Sequence, residues 1–290
     1  MRLARYLNSG GAARAGALLL AALSLAGCAD LGFINPAGPV AAAQRDHLWS
    51  ILWWMMPVVV PLFVLLPLIL WRYRYRGAGD YRPDWTHSNQ FEVLIWGLPV
   101  IIVGVLGYNL WVETVEMDPY KPLPGGEPMQ IQVIGYDWKW LFLYPEQGVS
   151  TVNALYLPVN RPVEFELTSA SVLQSFLIPK LGGQIYAMPG MITKQNLKGD
   201  VAGDYIGLNT QYNGNNFTDQ HFDVHVVPEA SFDAWVTHVK DSGAPALDEK
   251  MLAALQVPSV PEAPDLFSTA PDGAFEGVVE QAMVKGTCGI

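Results

Sequence analysis

Apolar positions along the chain fall into two regimes. Residues 48–71, LWSILWWMMPVVVPLFVLLPLILW, carry no charge over 24 positions, and residues 91–112, FEVLIWGLPVIIVGVLGYNLWV, carry one, Glu92. Each run is long enough to cross about 30 Å of hydrocarbon as a helix. Pro57, Pro61 and Pro67 lie inside the first run. They are tolerated in a membrane helix when neighbours satisfy the freed carbonyls, which points to partner helices. Trp49, Trp53, Trp54 and Trp71 flank the first run, and Trp96 and Trp111 lie near the ends of the second, as interfacial belts do.

After residue 113 the pattern switches to short alternating runs: EPMQIQVIGYDWKWLFLYPEQGV, RPVEFELTS, DYIGLNTQY and HFDVHVV, parted by Gly, Pro, Asn and Asp. Strands at that density predict a β-sandwich or barrel. PEASFDAWVTHVKDS, residues 228–242, spaces Phe232, Trp235, Val236 and Val239 as a helix does. The stretch from Ser242 is Pro- and Ala-rich with two weak helical patches. It is expected to be peripheral and partly irregular.

The N-terminus adds a targeting signal. MRLARYLNSGGAARAG is basic without acids, and ALLLAALSLAG is apolar but too short to span. The junction LAGC, residues 25–28, resembles a bacterial lipobox, which would make Cys28 the lipidated first residue. Removing residues 1–27 takes away three arginines and no acid, moving the formal charge from −10 to −13. An exported chain that acidic excludes a nucleic-acid binder. Cys28 and Cys288, the two cysteines, lie too far apart in sequence for a disulfide framework.

Arg72, Arg74, Arg76 and Arg82 crowd the loop between the apolar runs, whereas Glu113, Glu116 and Asp118 follow the second run without a base. The positive-inside rule puts that loop in the cytoplasm and both chain ends outside. A lipidated N-terminus requires the same orientation. The expected segments are a signal peptide 1–27, a periplasmic segment 28–47, a hairpin 48–112 with its loop at 72–90, a periplasmic domain 113–240 and an extension 241–290.

Three longer motifs carry a family resemblance. YDWKWLFLYPEQG, SFLIPKLGGQIYAMPGM and GLNTQYNGNNFTDQ, in this order after two spans, resemble subunit II of the haem–copper respiratory oxidases. WTHSNQFEVLIW, YPEQGVSTVN and the lipobox are similar to the quinol oxidase branch, the bo-type and ba-type ubiquinol oxidases. The resemblance covers residues 28 to about 240. It implies a two-helix transmembrane hairpin followed by an extracytoplasmic all-β cupredoxin-like Greek-key barrel. The implied activity is that of a proton-pumping complex oxidising ubiquinol and reducing dioxygen to water in the bacterial inner membrane. Partners would be oxidase subunits I, III and IV and membrane lipid. Haems, the remaining copper and the quinol site would sit in the large catalytic subunit, leaving no cofactor here.

Cytochrome c-oxidising relatives bind a dinuclear copper centre through one upstream His and a loop patterned C-x-E-x-C-x-x-x-H-x-x-M. Laid on that pattern, Asn209 and Asn213 stand at the Cys positions and Gln211 at the Glu position. Phe217 stands at the His position, Gln220 at the Met position and Gln174 where the upstream His would be. Neutral amides are poor copper ligands and Phe is none. His221 and His225 offer no substitute, because i and i+4 on a strand stand roughly 13 Å apart. His47, His87 and His238 read as structural.

Two further groups of residues are singled out. His87, Ser88, Asn89 and Glu92 resemble the H-S-N-x-x-E context near a proton-channel mouth, whereas the plainer reading of Glu92 is a carboxylate favoured by a helix N-terminus capped by Ser88 or Asn89. Trp138 and Trp140 occupy the aromatic strand that passes electrons inward in copper-bearing relatives. Here they are expected to pack the barrel against the catalytic subunit. Two alternatives stay open: a cytochrome c oxidase subunit II, and a free-standing membrane-anchored lipoprotein with a cupredoxin-like binding domain.

Overall fold

The computed structural model describes residues 32–75, 77, 79–80 and 83–284. The signal segment, Cys28, Arg76, Arg82 and Cys288 lie outside the described residues. The chain divides into two compact units, one of residues 43–121 and one joining the N-terminal segment up to Ala42 with 122–290.

Two long helices dominate the first unit. Helix α1, Pro39–Arg72, spans 34 residues, and helix α2, Asn89–Glu116, spans 28. Both are long and apolar enough to cross a membrane. Helix α1 starts nine residues before the apolar run at 48, because Pro39 suits a first helical position and VAAAQRD favours helix. Hydropathy marks only the lipid-crossing part of a helix, so that polar lead was invisible to it. Ile102 is the one buried residue on α2. Trp53, Phe63, Val93 and Trp96 are open, as on surfaces that lipid or other chains cover.

The second unit is built on two facing sheets. Its strands are β1 Met129–Tyr136, β2 Lys139–Tyr144, β3 Val149–Val152, β4 Ala154–Pro158, β5 Pro162–Ser169 and β6 Gln174–Leu177. There follow β7 Ile185–Ala187, β8 Thr193–Lys198, β9 Gly203–Asn209, β10 His221–Val227 and β11 Asp265–Phe267. One sheet runs β11-β3-β2-β1-β5-β8 and the other β4-β10-β9-β6-β7. The pairs β1/β5 and β4/β10 are parallel and the rest antiparallel. This is the expected cupredoxin-like domain, with its strands divided between two sheets.

Alternation on β2 sends Trp140, Phe142 and Tyr144 into the core between the sheets. There Phe176 and Phe222 stack at 5.2 Å, and Trp140 meets Phe176 edge-on at 5.4 Å. Gly207 faces Phe222 across β9 and β10, where an added Cβ would fall 1.9 Å from the ring. Helix α3, Glu229–Asp241, closes one end with Phe232 and Val239 buried, and Trp235 stacks on Tyr156 at 4.2 Å. The N-terminal segment is tied to the same domain. Ala37 N–H donates to the Lys180 carbonyl, and the Ala37 carbonyl accepts from Asp200 N–H, both at 2.8 Å.

The extension after Ser242 is not peripheral, which corrects the expectation. Helix α4, Glu249–Leu255, strand β11 and helix α5, Ala274–Val284, build a second core on the outer face of the six-stranded sheet. Leu247, Phe267, Phe275 and Val279 cover Ile134, Leu141, Leu143 and Val152 there. Strand β2 is consequently buried along its whole length.

Candidate functional site

Strands β1, β6, β9 and β10 converge where the copper-type loop folds back. Gln174 opens β6, Asn209 ends β9, and Gln220 follows a 3-10 turn at Phe217–Asp219. Gln220 is the hub. Its Nε2 donates to Gln174 Oε1 at 2.7 Å and to the Tyr136 carbonyl at 3.3 Å. Its Oε1 accepts from Asn209 Nδ2 at 2.9 Å and from Asn213 Nδ2 at 2.7 Å. Gln174 Nε2 donates to the Tyr136 carbonyl at 3.1 Å, and Asn209 Oδ1 accepts from the backbone N–H of Ser175 and of Gln211, both at 3.0 Å.

This lattice is neutral and mostly buried. Gln174 is 0% exposed, Gln220 1% and Asn209 5%. Gly135 makes room for it, since a Cβ there would lie 2.5 Å from Gln174 Oε1. Four of the six positions singled out from the sequence thus meet through their side chains. Gln211 joins through its backbone, and Phe217 turns aside to pack on Tyr212 at 5.9 Å. The spacing that located these residues could not reveal the bonds between them. The neighbouring contacts of Thr210 with Ser175 Oγ at 2.9 Å and Gln184 Oε1 at 2.7 Å were missed entirely, for no motif marks them.

Trp140 does not pack at a surface, contrary to expectation. It is fully buried in the core, and its backbone N–H donates to Asn153 Oδ1 at 2.8 Å. A left-handed φ of 66° at Trp138 breaks the alternation between β1 and β2, so the two tryptophans do not share a face. Trp138 is half-buried and lies against Gly214 of the loop, where a Cβ would approach its ring to 3.3 Å. Lys139 between them is also buried, donating to the Val257 carbonyl at 2.8 Å and Ser259 Oγ at 2.5 Å. Burial pulls its ammonium below the ordinary lysine value, and Asp137 and Asp265 partly oppose that.

At the other unit, Ser88 occupies the N-cap position of α2 without a side-chain capping bond, and Glu92 N–H donates to the Ser88 carbonyl at 3.0 Å. His87 Nδ1 lies 3.2 Å from Glu92 Oε1, and His87 Nε2 meets Asn89 Oδ1. The motif is therefore one connected polar cluster at the start of α2. His221 and His225 stay apart as sequence spacing implied: His221 is exposed, and His225 Nδ1 binds Asp204 Oδ1 at 2.6 Å. Among the described residues no group of three His, Cys, Asp or Glu is placed to hold a metal ion.

Two membrane-length helices ahead of a cupredoxin-like domain define a class, subunit II of the haem–copper oxidases. A family profile described as "Cytochrome C oxidase subunit II, periplasmic domain" matches residues 147–227. The chain is 39% identical to the cytochrome bo(3) ubiquinol oxidase subunit 2 of Pseudomonas putida, over 90% of this chain and 83% of that one. It is 40% identical to the ubiquinol oxidase subunit 2 of Acetobacter aceti, over 96% and 88%. With the quinol oxidase subunit 2 of Bacillus subtilis (strain 168) the figures are 38%, 83% and 76%. Among solved structures, the periplasmic domain of subunit II of the Bradyrhizobium japonicum cytochrome oxidase aligns over 41% of this chain and 99% of that one, at 23% identity and a TM-score of 0.39. The chain belongs to the ubiquinol oxidase subunit 2 family.

Proposed function

We propose that this chain works as the second subunit of a proton-pumping respiratory ubiquinol oxidase and carries no dinuclear copper. The observation that carries the reading is the amide lattice. Gln174, Asn209, Asn213 and Gln220 are neutral carboxamides already bonded to one another and to the Tyr136 carbonyl. Copper of that type needs thiolate, imidazole and thioether donors, and no such side chain stands at these positions. The residues present do not fit the metal. Electrons in such a complex pass from ubiquinol directly to the catalytic subunit, where the haems and the remaining copper reside, and this domain supports that subunit.

The anchor follows from the same reading. Lipidation at Cys28 and the two apolar helices hold the chain in the bacterial inner membrane, with the β-domain in the periplasm. Glu92, paired with His87 at the cytoplasmic start of α2, serves as a proton entrance. Subunits I, III and IV are the partners.

The test is made on the complex purified through this chain in mild detergent. It shows a haem spectrum and takes up oxygen with ubiquinol as donor. Its copper content stays unchanged when Asn209, Asn213 and Gln220 are all replaced by Ala. Copper that falls with those substitutions, or oxygen uptake that runs on reduced cytochrome c and not on ubiquinol, overturns the reading.

A further inference from the structure

An open cleft of about 690 Å³ lies over the outer face of the six-stranded sheet, between helices α4 and α5. It shares only Tyr136 with the amide lattice: the Tyr136 carbonyl serves the lattice, while the residue lines the cleft. Helix α4 and its C-cap residue line it with Glu249, Leu252, Ala253 and Gln256, spaced i, i+3, i+4 and i+7, so one helical face is turned into it. Helix α5 does the same with Ala274, Gly277, Val278 and Gln281.

Three properties mark the cleft as built for an occupant. First, its walls are low: a Cβ at Gly273 or Gly277 would meet nothing within 4 Å, which lets another backbone come close. Second, Tyr136 lines the floor at 1% exposure, and its hydroxyl is buried without a hydrogen-bond partner. Such a group normally finds one, so the floor retains unused hydrogen-bonding capacity. Third, Asp248, Glu249 and Asp272 stand around the cleft, and no Lys or Arg is among the described residues lining it. That one-signed rim selects a cationic partner.

We propose that this cleft docks a short peptide segment of another chain, with apolar residues between the two helices and a Lys or Arg on the acidic rim. A polypeptide fits the cleft because one segment supplies both apolar side chains for Leu252, Ala253 and Val278 and a cation for the acidic rim. The inference stands on the C-terminal extension and on Tyr136 of β1, and does not depend on the quinol oxidase reading.

The experiment uses the full-length chain in cells, with the photo-crosslinking residue p-benzoylphenylalanine in place of Ala253 or of Gln281, both exposed within the cleft. After irradiation the complex is purified and the adduct mapped by mass spectrometry. The expected adduct joins both positions to one peptide segment containing apolar residues and a Lys or Arg. The same probe at exposed Val201 gives no such adduct. The double variant Glu249→Lys/Asp272→Lys lowers the yield roughly tenfold, since like charges then face each other.

Gly277→Leu fills the trough and abolishes the adduct. The open space above Gly277 keeps that variant folded, as its unchanged melting temperature and the unchanged haem content of the complex would report. An adduct to phospholipid, to residues 285–290 of this chain or to solvent alone overturns the proposal. A peptide adduct whose yield ignores both the charge reversal and Gly277→Leu overturns it as well. A complex lacking haem while the adduct forms as described counts against the oxidase reading and leaves the docking site standing.

Discussion

Gln220 ties together the loop that the sequence lays on a copper-ligand pattern. Its amide accepts from Asn209 and Asn213 and donates to Gln174, so its removal strands three polar groups at once. Each buried group left unpaired costs about 1–3 kcal/mol. Gln220→Ala is therefore expected to destabilise the β-domain by about 3 kcal/mol, read as a fall in its thermal midpoint within the full chain, while ubiquinol oxidation at low temperature persists. The positions of this cluster were legible as spacing, because Asn209, Asn213 and Gln220 keep the intervals of a ligand loop. Their bonds were not, since Gln174 and Gln220 are brought together by the pairing of distant strands. Trp140 was misread for a related reason: the left-handed turn falls on Trp138 itself, the first of two tryptophans that strict alternation would put on one face. Glu92 belongs at this scale too. Glu92→Ala is expected to slow proton-coupled turnover of the assembled oxidase without changing its haem content, and unchanged turnover retires the proton-entrance role.

At the level of elements, the informative strand is β2. The run KWLFLY has no polar residue after Lys139, and a strand with apolar residues on both faces needs cover on both. That signal required a second layer, yet the extension supplying it spreads its apolar residues too thinly to announce a core. Leu247, Leu255, Phe267 and Phe275 stand singly among prolines, alanines and acids, and only the folded sheet gathers them. Helix α3 was legible almost to the residue because its apolar positions repeat at helical spacing within one unbroken segment. The extension is thus a structural layer, which is testable. Phe275 is 1% exposed, so Phe275→Ala is expected to cost about 3–5 kcal/mol. The same change should open residues 244–284 to limited proteolysis while the core between the sheets stays protected. Equal protease sensitivity of wild type and variant would mean that the extension contributes nothing to the fold.

Across the β-domain, two cores share strands β1 and β2, and each holds a buried tyrosine. Tyr144 lies between the sheets and Tyr136 under the extension. Burial pushes both phenols well above the ordinary value of 10.0, although hydrogen bonding between the Tyr144 hydroxyl and the Tyr156 backbone partly opposes this. An acid whose folded value is raised keeps its proton in the native state after the unfolded chain has lost it. The unfolded state then binds fewer protons, so stability falls as pH rises above 10.0. Each tyrosine contributes a slope of about 1.4 kcal/mol per pH unit in that window. Lys139 acts with the opposite sign, because its folded value is lowered and the unfolded chain binds the extra proton below 10.5. Its stabilising slope ends there, so the full loss from both tyrosines emerges only beyond 10.5. Unfolding of the full chain in detergent, followed across that range, should show the midpoint dropping and the slope steepening. Tyr136→Phe should make the slope shallower, with Tyr144, Tyr156 and Tyr205 still contributing to it, and with no loss of stability at neutral pH, since the Tyr136 hydroxyl has no partner to lose. A slope that the substitution leaves untouched would mean that the core under the extension opens to solvent before the domain unfolds.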